Sequence, residues 1–469
     1  MKKNFVYQFA YQILTIAIPF ITTPYVSRIL GAEGVGIYSY TYTIVNYFVL
    51  LGRMGIQMYA NRQIAMQNRN KIKISECFWN LFFVHLIFSL LSIVTFAFFV
   101  MNVEENRKIF LIQGIYLIGQ MMDINWLFFG LEKFKITITR NVTVKILTLI
   151  NIFVFVKSSR DLWKYAFILA LGSAIGESMV WIAIPKYVNL CKPRLSKMKI
   201  FFIPVIKLSI PVIATSVYTM MDKVFIKYYC NAIQVGYYEN AEKIVSVGRL
   251  VTVALGTVTL PNATRLLAEG ENKILKKSID KSLFGSVWFA VGFFYGILGI
   301  AKNFVPLFLG EEFKGSIFII YELIPCVFCW TIANVFRTQY IIPKQKDNVY
   351  IGSQIMAAIV NFFLNLILVP CLGTAGAAIG TVMAELGVCT VMVVASKEII
   401  NLKKYSFNFM WLNVLGIIMF IVIKVIEKIE LSVLVCTIIQ ILVGGTVYLI
   451  LSILMMWYGR RKIWRRRLN

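Results

Sequence analysis

Apolar runs of about twenty residues, broken by short polar stretches, recur along the whole chain and predict about fourteen membrane-spanning helices. They lie near 9–30, 37–59, 77–100, 109–130, 138–156, 162–185, 206–229, 235–259, 282–306, 316–339, 349–370, 374–396, 408–426 and 431–457. Within these runs the polar positions fall on single helix faces. In the second run Tyr38, Tyr42, Asn46, Val49 and Arg53 follow at steps of three and four, and in the eighth Tyr238, Glu242, Ser246, Arg249 and Val253 take the equivalent positions. Each copy carries an arginine into an apolar segment. A polar face at membrane depth must look onto protein or water, because lipid offers it no partner.

These two stretches belong to a longer echo. V-G-x-Y at Val35, Gly36 and Tyr38 returns at Val235, Gly236 and Tyr238, each followed by Ile-Val. IAIPFITT (16–23) matches LSIPVIAT (208–215), so Pro19 and Pro211 are expected to kink two equivalent helices. GSAIGE (172–177) matches GTVMAE (380–385), where small residues permit close helix approach and a glutamate follows. Three matches in one order at nearly one spacing argue for a duplicated six-helix unit. Six is even, so both copies enter the membrane in the same direction, as a parallel repeat. The expected organisation is an all-α polytopic membrane protein with an N-terminal lobe (1–190), a C-terminal lobe (191–400), and two further helices with a basic tail (401–469).

Composition agrees with the pattern: 59% of the 469 residues are hydrophobic and the mean hydropathy is +0.75, which excludes a soluble globular chain. The net charge of +26 would suggest nucleic acid in a soluble protein. Here the lysines and arginines fall on the loops that a cytoplasmic N-terminus would place inside: Lys2 and Lys3, Arg62 to Lys73, Lys192 to Lys199, Lys273 to Lys277, and the tail Arg460 to Arg467. That is the positive-inside bias, so both termini are expected to be cytoplasmic, with anionic lipid as the tail's partner and no nucleic acid. The first apolar run holds Pro19 and Pro24, is too long for a signal core and lacks a small-x-small site, so no cleavable signal is expected. Cys326 and Cys329 form a C-x-x-C inside an apolar helix without histidine partners, which favours packing over metal or redox chemistry.

With no P-loop, no zinc spacing, a single histidine (His85) and no room for a soluble domain, the chemistry is expected to lie in the intramembrane polar groups. His85 alone on its helix reads as a hydrogen-bonded core residue. Gln113, Tyr116, Gln120 and Asp123 share one face of the fourth run, and Asn141, Lys145 and Thr148 answer on the fifth, where an Asp123–Lys145 pair would neutralise both charges. Arg53, Lys145, Lys223, Lys243 and Arg249 lie too deep for easy snorkelling, and each would cost about 3 kcal/mol facing lipid. Asp123, Glu177, Asp222, Glu242 and Glu385 supply opposing charge and could lock the cations in buried ion pairs that hold the lobes. Arg53 and Arg249 have no acidic residue three or four positions away, which favours a wet, net cationic cavity between the lobes; Lys243 beside Glu242 does not.

Four stretches carry a family resemblance: PFITTPYVSRILGAEGVGIYS (19–39); DINWLFFGLEKFKITITRN (123–141); MDKVFI (221–226) with VGYYENAEKIV (235–245); and NFFLNLILVPCLGTAGAAIGT (361–381). In these the chain resembles the Wzx-type polysaccharide repeat-unit flippases, within the superfamily that also holds multidrug exporters and lipid II flippases. The resemblance implies two six-helix lobes around a central cavity, alternating access, no catalysis and no cofactor. It implies a substrate of oligosaccharide linked by diphosphate to a polyprenol, and polymerase and other assembly proteins as possible partners. It casts Arg28, Arg53, Lys223 and Arg249, with Lys145, as the cations that attract the diphosphate and sugars. The alternatives are a multidrug exporter of the same fold, which would want an acidic cavity, and a membrane polymerase or ligase, against which the short outer loops count.

Overall fold

In a computed structural model the described residues are 2–67, 70–400 and 402–468, with side chains described outside 1–17, 195–197, 211, 257–258, 401–404 and 458–469. No strand occurs among them. Contacts divide the chain into two units, Met1–Gly236 and Tyr237–Asn469.

The first unit runs through α1 (Lys2–Arg53), α2 (Ile56–Ala65), α3 (Lys71–Met101), α4 (Arg107–Gln113), α5 (Ile115–Met121), α6 (Asn125–Gly130), α7 (Phe134–Phe155), α8 (Leu162–Met179), α9 (Ile184–Tyr187) and α10 (Leu195–Tyr229). Helix α11 (Ala232–Ala268) opens at its end and continues into the second unit. There follow α12 (Asn272–Leu309), α13 (Gly315–Leu323), α14 (Cys326–Phe336), α15 (Asp347–Leu372), α16 (Thr374–Ala395), α17 (Leu402–Glu427) and α18 (Val433–Leu468).

Ten helices among the described residues are long and apolar enough to cross a membrane, eleven if α13 and α14, bent by 47° at Ile324–Pro325, form one span. The three expected segments that do not qualify are informative. Segments 9–30 and 37–59 share α1, which leaves helical geometry at Gly31, where φ is +69° and a side chain would be strained. Pro19 and Pro24 lie inside that helix, while the side chain of Pro211 lies outside those described. Past Arg53 the chain turns at Met54 and Gly55 before α2, so the expected single helix to residue 59 is two.

Segment 109–130 is broken into α4, α5 and α6, with Met122, Asp123 and Ile124 outside any helix. Gly119 on α5 lies so close to α8 that a Cβ there would stand 2.9 Å from Ala174 Cα. On the other side, Trp126 and Phe128 of α6 are fully buried beside Phe78 and Leu81 of α3 and Ile56 and Ile64 of α2. This aromatic-rich core, with Phe78 and Trp126 ring centroids 5.3 Å apart, fixes α6 and therefore the residues at its start.

In the second unit α15 and α16 form a tight hairpin about Gly373, whose φ is +60°. Helices α17 and α18 pack on α12 through polar contacts inside an apolar seam. Trp288 Nε1 donates to Ser452 Oγ (2.8 Å), and Tyr448 OH donates to the Trp288 carbonyl (2.7 Å).

Candidate functional site

The break between α5 and α6 places an irregular backbone where the span should be continuous, and such backbone is tolerated at membrane depth only when protein supplies its hydrogen bonds. It does so here. Asp123 Oδ1 accepts from the backbone N–H of Asn125 (3.1 Å), Trp181 Nε1 donates to the Met122 carbonyl (2.8 Å), and His85 Nε2 lies 2.9 Å from the Gln120 carbonyl oxygen. The lone histidine is thus a buried donor that holds the frayed end of α5, with Gln120 donating from its own side chain to Ser89 Oγ (3.0 Å).

Asp123 and Asn125 then join charges brought from three other helices. Arg53, at the end of α1, pairs with Asp123 at 3.2 Å, and Gln57 of α2 donates to the same carboxylate oxygen (2.8 Å). Asn125 donates through Nδ2 to Asp123 Oδ1 (2.7 Å) and to Glu177 Oε2 of α8 (2.7 Å), and accepts from Arg140 of α7 through Oδ1 (2.7 Å). Arg140 also pairs directly with Glu177 at 3.1 Å. Two arginines and two carboxylates are therefore bridged by one amide, and their formal charges cancel. Asp123 and Arg140 are almost fully buried, while the Arg53 side chain retains 35% of its exposure. Groups so placed are stable only as a set, since each desolvated charge depends on its neighbours.

Two expectations change. Asp123 pairs with Arg53 and not with Lys145, because the break in the fourth span turns its carboxylate toward the end of α1. Arg53 therefore does have an acidic partner, contributed by a different helix, which a search of its own helix at steps of three and four could not find.

Beside this network is a cavity of about 370 Å³ walled by α1, α5, α7 and α8. Arg140, Lys145 and Asn141 of α7, Glu177 and Ser173 of α8, Thr22 of α1, Tyr116 of α5 and Tyr165 of α8 line it: two cations, one carboxylate, and hydroxyl and amide groups. Tyr116 and Tyr165 belong to a four-tyrosine cluster, with Tyr38 4.8 Å from Tyr165 and Tyr42 5.2 Å from Tyr116 between ring centroids. Tyr38 and Tyr116 also share a hydroxyl hydrogen bond of 3.1 Å.

The remaining candidates are placed separately. Asp222 and Lys223 are buried side by side on α10 in the first unit, and Arg28 is exposed on α1 three residues before the Gly31 break. In the second unit Glu385 is buried on α16, and Arg249 of α11 stacks on Trp330 of α14, its guanidinium 5.3 Å from the ring centroid. Arg249 makes no ion pair with the described residues, whereas Lys243 pairs with Glu239 at 3.0 Å. Cys326 and Cys329 are buried, Cys329 within hydrogen-bonding reach of Cys389, and no group of three or more potential metal ligands occurs among the described residues.

The sequence reading did not single out Arg140 or Gln57. The available signal for Arg140 was Gly176 opposite, where a Cβ would stand 3.2 Å from the guanidinium NH1, so the glycine makes room for it.

Comparison with known proteins places this geometry in context. A protein of Shigella dysenteriae named as an O-antigen transporter is 24% identical over 404 residues, covering 85% of this chain and all of that one. Among solved structures, the lipid II flippase MurJ in an inward closed conformation superposes with a TM-score of 0.75 at 16% identity, over 98% of this chain and 99% of that one. A multidrug resistance MATE family transporter in an inward-facing conformation gives 0.60 at 14% identity, over 86% and 98%. These likenesses show a shared fold. The polysaccharide biosynthesis protein family matches residues 1–267, more than half of the chain, and it is to this family that the chain belongs.

Proposed function

We propose that the protein is a flippase that moves polyprenyl-diphosphate-linked oligosaccharides from the inner to the outer leaflet of a bacterial cytoplasmic membrane, for surface polysaccharide assembly. The observation that supports this reading is the tyrosine-lined cavity of the first unit, with Arg140, Lys145 and Glu177 in its wall. A diphosphate diester brings two negative charges, and Lys145, on the same wall as the neutral Arg140–Glu177 pair, is the cation proposed to meet it. Tyrosine rings and amides suit the alternating apolar and hydroxyl faces of sugars. Carriage rather than catalysis is the activity, in line with the transporter and flippase names of its relatives.

The mechanism we infer is alternating access, with Arg28, Arg53, Lys145, Lys223 and Arg249 drawing the diphosphate out of the headgroup layer. No cofactor is needed for the outward step. Two charges leaving an inside-negative cell gain about 2.3 kcal/mol each per 100 mV, roughly 4 to 5 together. Asp123, Glu177, Asp222 and Glu385 are the groups through which proton or sodium coupling would act. Polymerase and other assembly proteins are the expected recipients of the product. A cavity with more cations than carboxylates disfavours the multidrug-exporter reading for cationic compounds.

Deleting the gene tests the proposal. Lipid-linked repeat units accumulate on the cytoplasmic leaflet and surface polymer is lost; an unchanged polymer yield with no accumulated intermediate defeats the flippase reading. Arg249→Ala, which strands no carboxylate among the described residues, is expected to lower export with normal folding and membrane insertion.

A further inference from the structure

Glu322 lies on α13, about 10 Å of helix past its start at Gly315 and three residues before the break at Pro325. It is partly buried, its Oε2 is shut off from solvent, and neither carboxylate oxygen meets a hydrogen-bond donor or a cation among the described residues. The 47° bend isolates it further. Pro325 has no N–H to return to the Tyr321 carbonyl, and beyond it Val327 donates to Ile324 (3.1 Å) and Phe328 to Pro325 (3.1 Å), steps of three instead of four. The charges on the elements around α13 are engaged elsewhere. In the turn before it Glu311 pairs with Lys314, and Glu312 is exposed. On α12 Lys302 pairs with Glu427 (3.2 Å), Tyr295 donates to Asn413 (3.2 Å), and the other charges lie at the far end, 273–281. On α11, which runs beside the bend through Tyr237 and Gly248, Lys243 next to Glu242 pairs with Glu239 (3.0 Å), and Arg249 stacks on Trp330. Glu385 of α16 lies near the Cys329 and Cys389 thiols.

We propose that Glu322 is a proton-binding site of the transport cycle, occupied in this conformation and emptied when the α13–α14 bend moves and admits water to the side chain. This deepens the flippase reading and rests on it. An ionised carboxylate inside a span, with one oxygen out of water's reach and no cation beside it, is the costliest state open to this side chain. The protonated acid is neutral, and it brings an O–H donor to a stretch where Pro325 leaves a carbonyl without its helical partner. On release the O–H bond breaks, its electron pair stays on the carboxylate, and water takes the proton. Protonation and the bend thus favour each other, which ties proton movement to a change of shape. Asp123 and Glu177 already face Arg53 and Arg140, so a proton on either displaces an arginine. At Glu322 it displaces nothing.

The test uses the full chain in phosphatidylglycerol vesicles. Infrared difference spectra of wild type against Glu322→Gln at neutral pH are expected to show, in wild type alone, the carbonyl stretch of a protonated carboxylic acid, shifted by deuterium exchange. Glu322→Asp keeps a titratable group and is expected to move that band without abolishing it, so wild type against the aspartate variant is the test if the glutamine variant does not fold. Transport is read in the same vesicles with a fluorescent polyprenyl-diphosphate-linked sugar and an imposed pH difference. Each pH unit is worth at most about tenfold in the distribution of the probe between leaflets for each proton carried. Wild type is expected to shift that distribution with the pH difference, and Glu322→Gln to lose the response. Wild-type spectra in which Glu322 contributes only ionised carboxylate bands, or a glutamine variant that answers the pH difference as wild type does, overturn the proton site. If the probe still crosses in wild type, the flippase reading survives that failure; if nothing crosses, both fall.

Discussion

At the scale of single residues the controlling fact is that Asn125 ties two ion pairs into one neutral group. Removing one charge from such a set leaves its partner buried and unpaired. Arg140→Gln is therefore expected to destabilise the protein by about 3 to 5 kcal/mol, and Arg140→Gln with Glu177→Gln to recover most of that loss. Thermal unfolding of the detergent-solubilised protein checks both, and a double variant no more stable than the single one contradicts the pairing. Sequence alone reached the ingredients, since Arg53, Asp123, Glu177 and Lys145 were all identifiable as charges too deep to face lipid. It did not reach their pairing. Helical spacing reports neighbours on one helix, whereas Arg53, Asp123, Arg140 and Glu177 come from separate segments joined only by tertiary packing. Arg140 escaped because it sits near the predicted end of its span, where an arginine ordinarily reaches water.

Among elements, two features decide the geometry. The first is the crossing of the echoed V-G-x-Y stretches. A Cβ at Gly36 would stand 1.7 Å from the Ala232 carbonyl oxygen, and one at Gly236 would stand 2.0 Å from that of Ala32, so each glycine receives the backbone four residues before the other. Gly36→Ala and Gly236→Ala are each expected to cost about 1 to 3 kcal/mol or more through overpacking, measurable as lowered melting temperature and lost export. The repeat was legible from sequence, but not that its two copies touch. The second is the start of α8, where Asp161 accepts from the Lys164 ammonium at 2.6 Å and from the backbone N–H groups of Lys157 and Ser158. Asp161→Asn removes the ion pair and weakens this capping, and should lower the melting temperature; an unchanged melting temperature contradicts it. The break of the fourth span was invisible to hydropathy, because its residues remain apolar on either side of Asp123 and only tertiary donors make the break affordable.

For the whole molecule, the hydropathy pattern sufficed to establish a helical, multi-pass chain, because the bilayer imposes element length more strictly than water does. Orientation is a separate proposition resting on loop charge. With a cytoplasmic N-terminus, a cysteine introduced for Lys276 should resist an impermeant thiol reagent added to intact cells, while one introduced for Lys314 should react. The reverse pattern inverts the topology. The neutral cluster of the first unit also bears on how the chain is made. Arg53 leaves the ribosome well before Asp123, and Arg140 before Glu177, so each guanidinium enters the membrane ahead of the acid that will balance it. Until then the cation must wait near the lipid headgroups. Biogenesis of this unit is consequently a late settling of early helices: nascent chains halted before Asp123 should be held loosely at the insertion machinery and degraded, and those extending past Glu177 should become resistant to extraction and proteolysis.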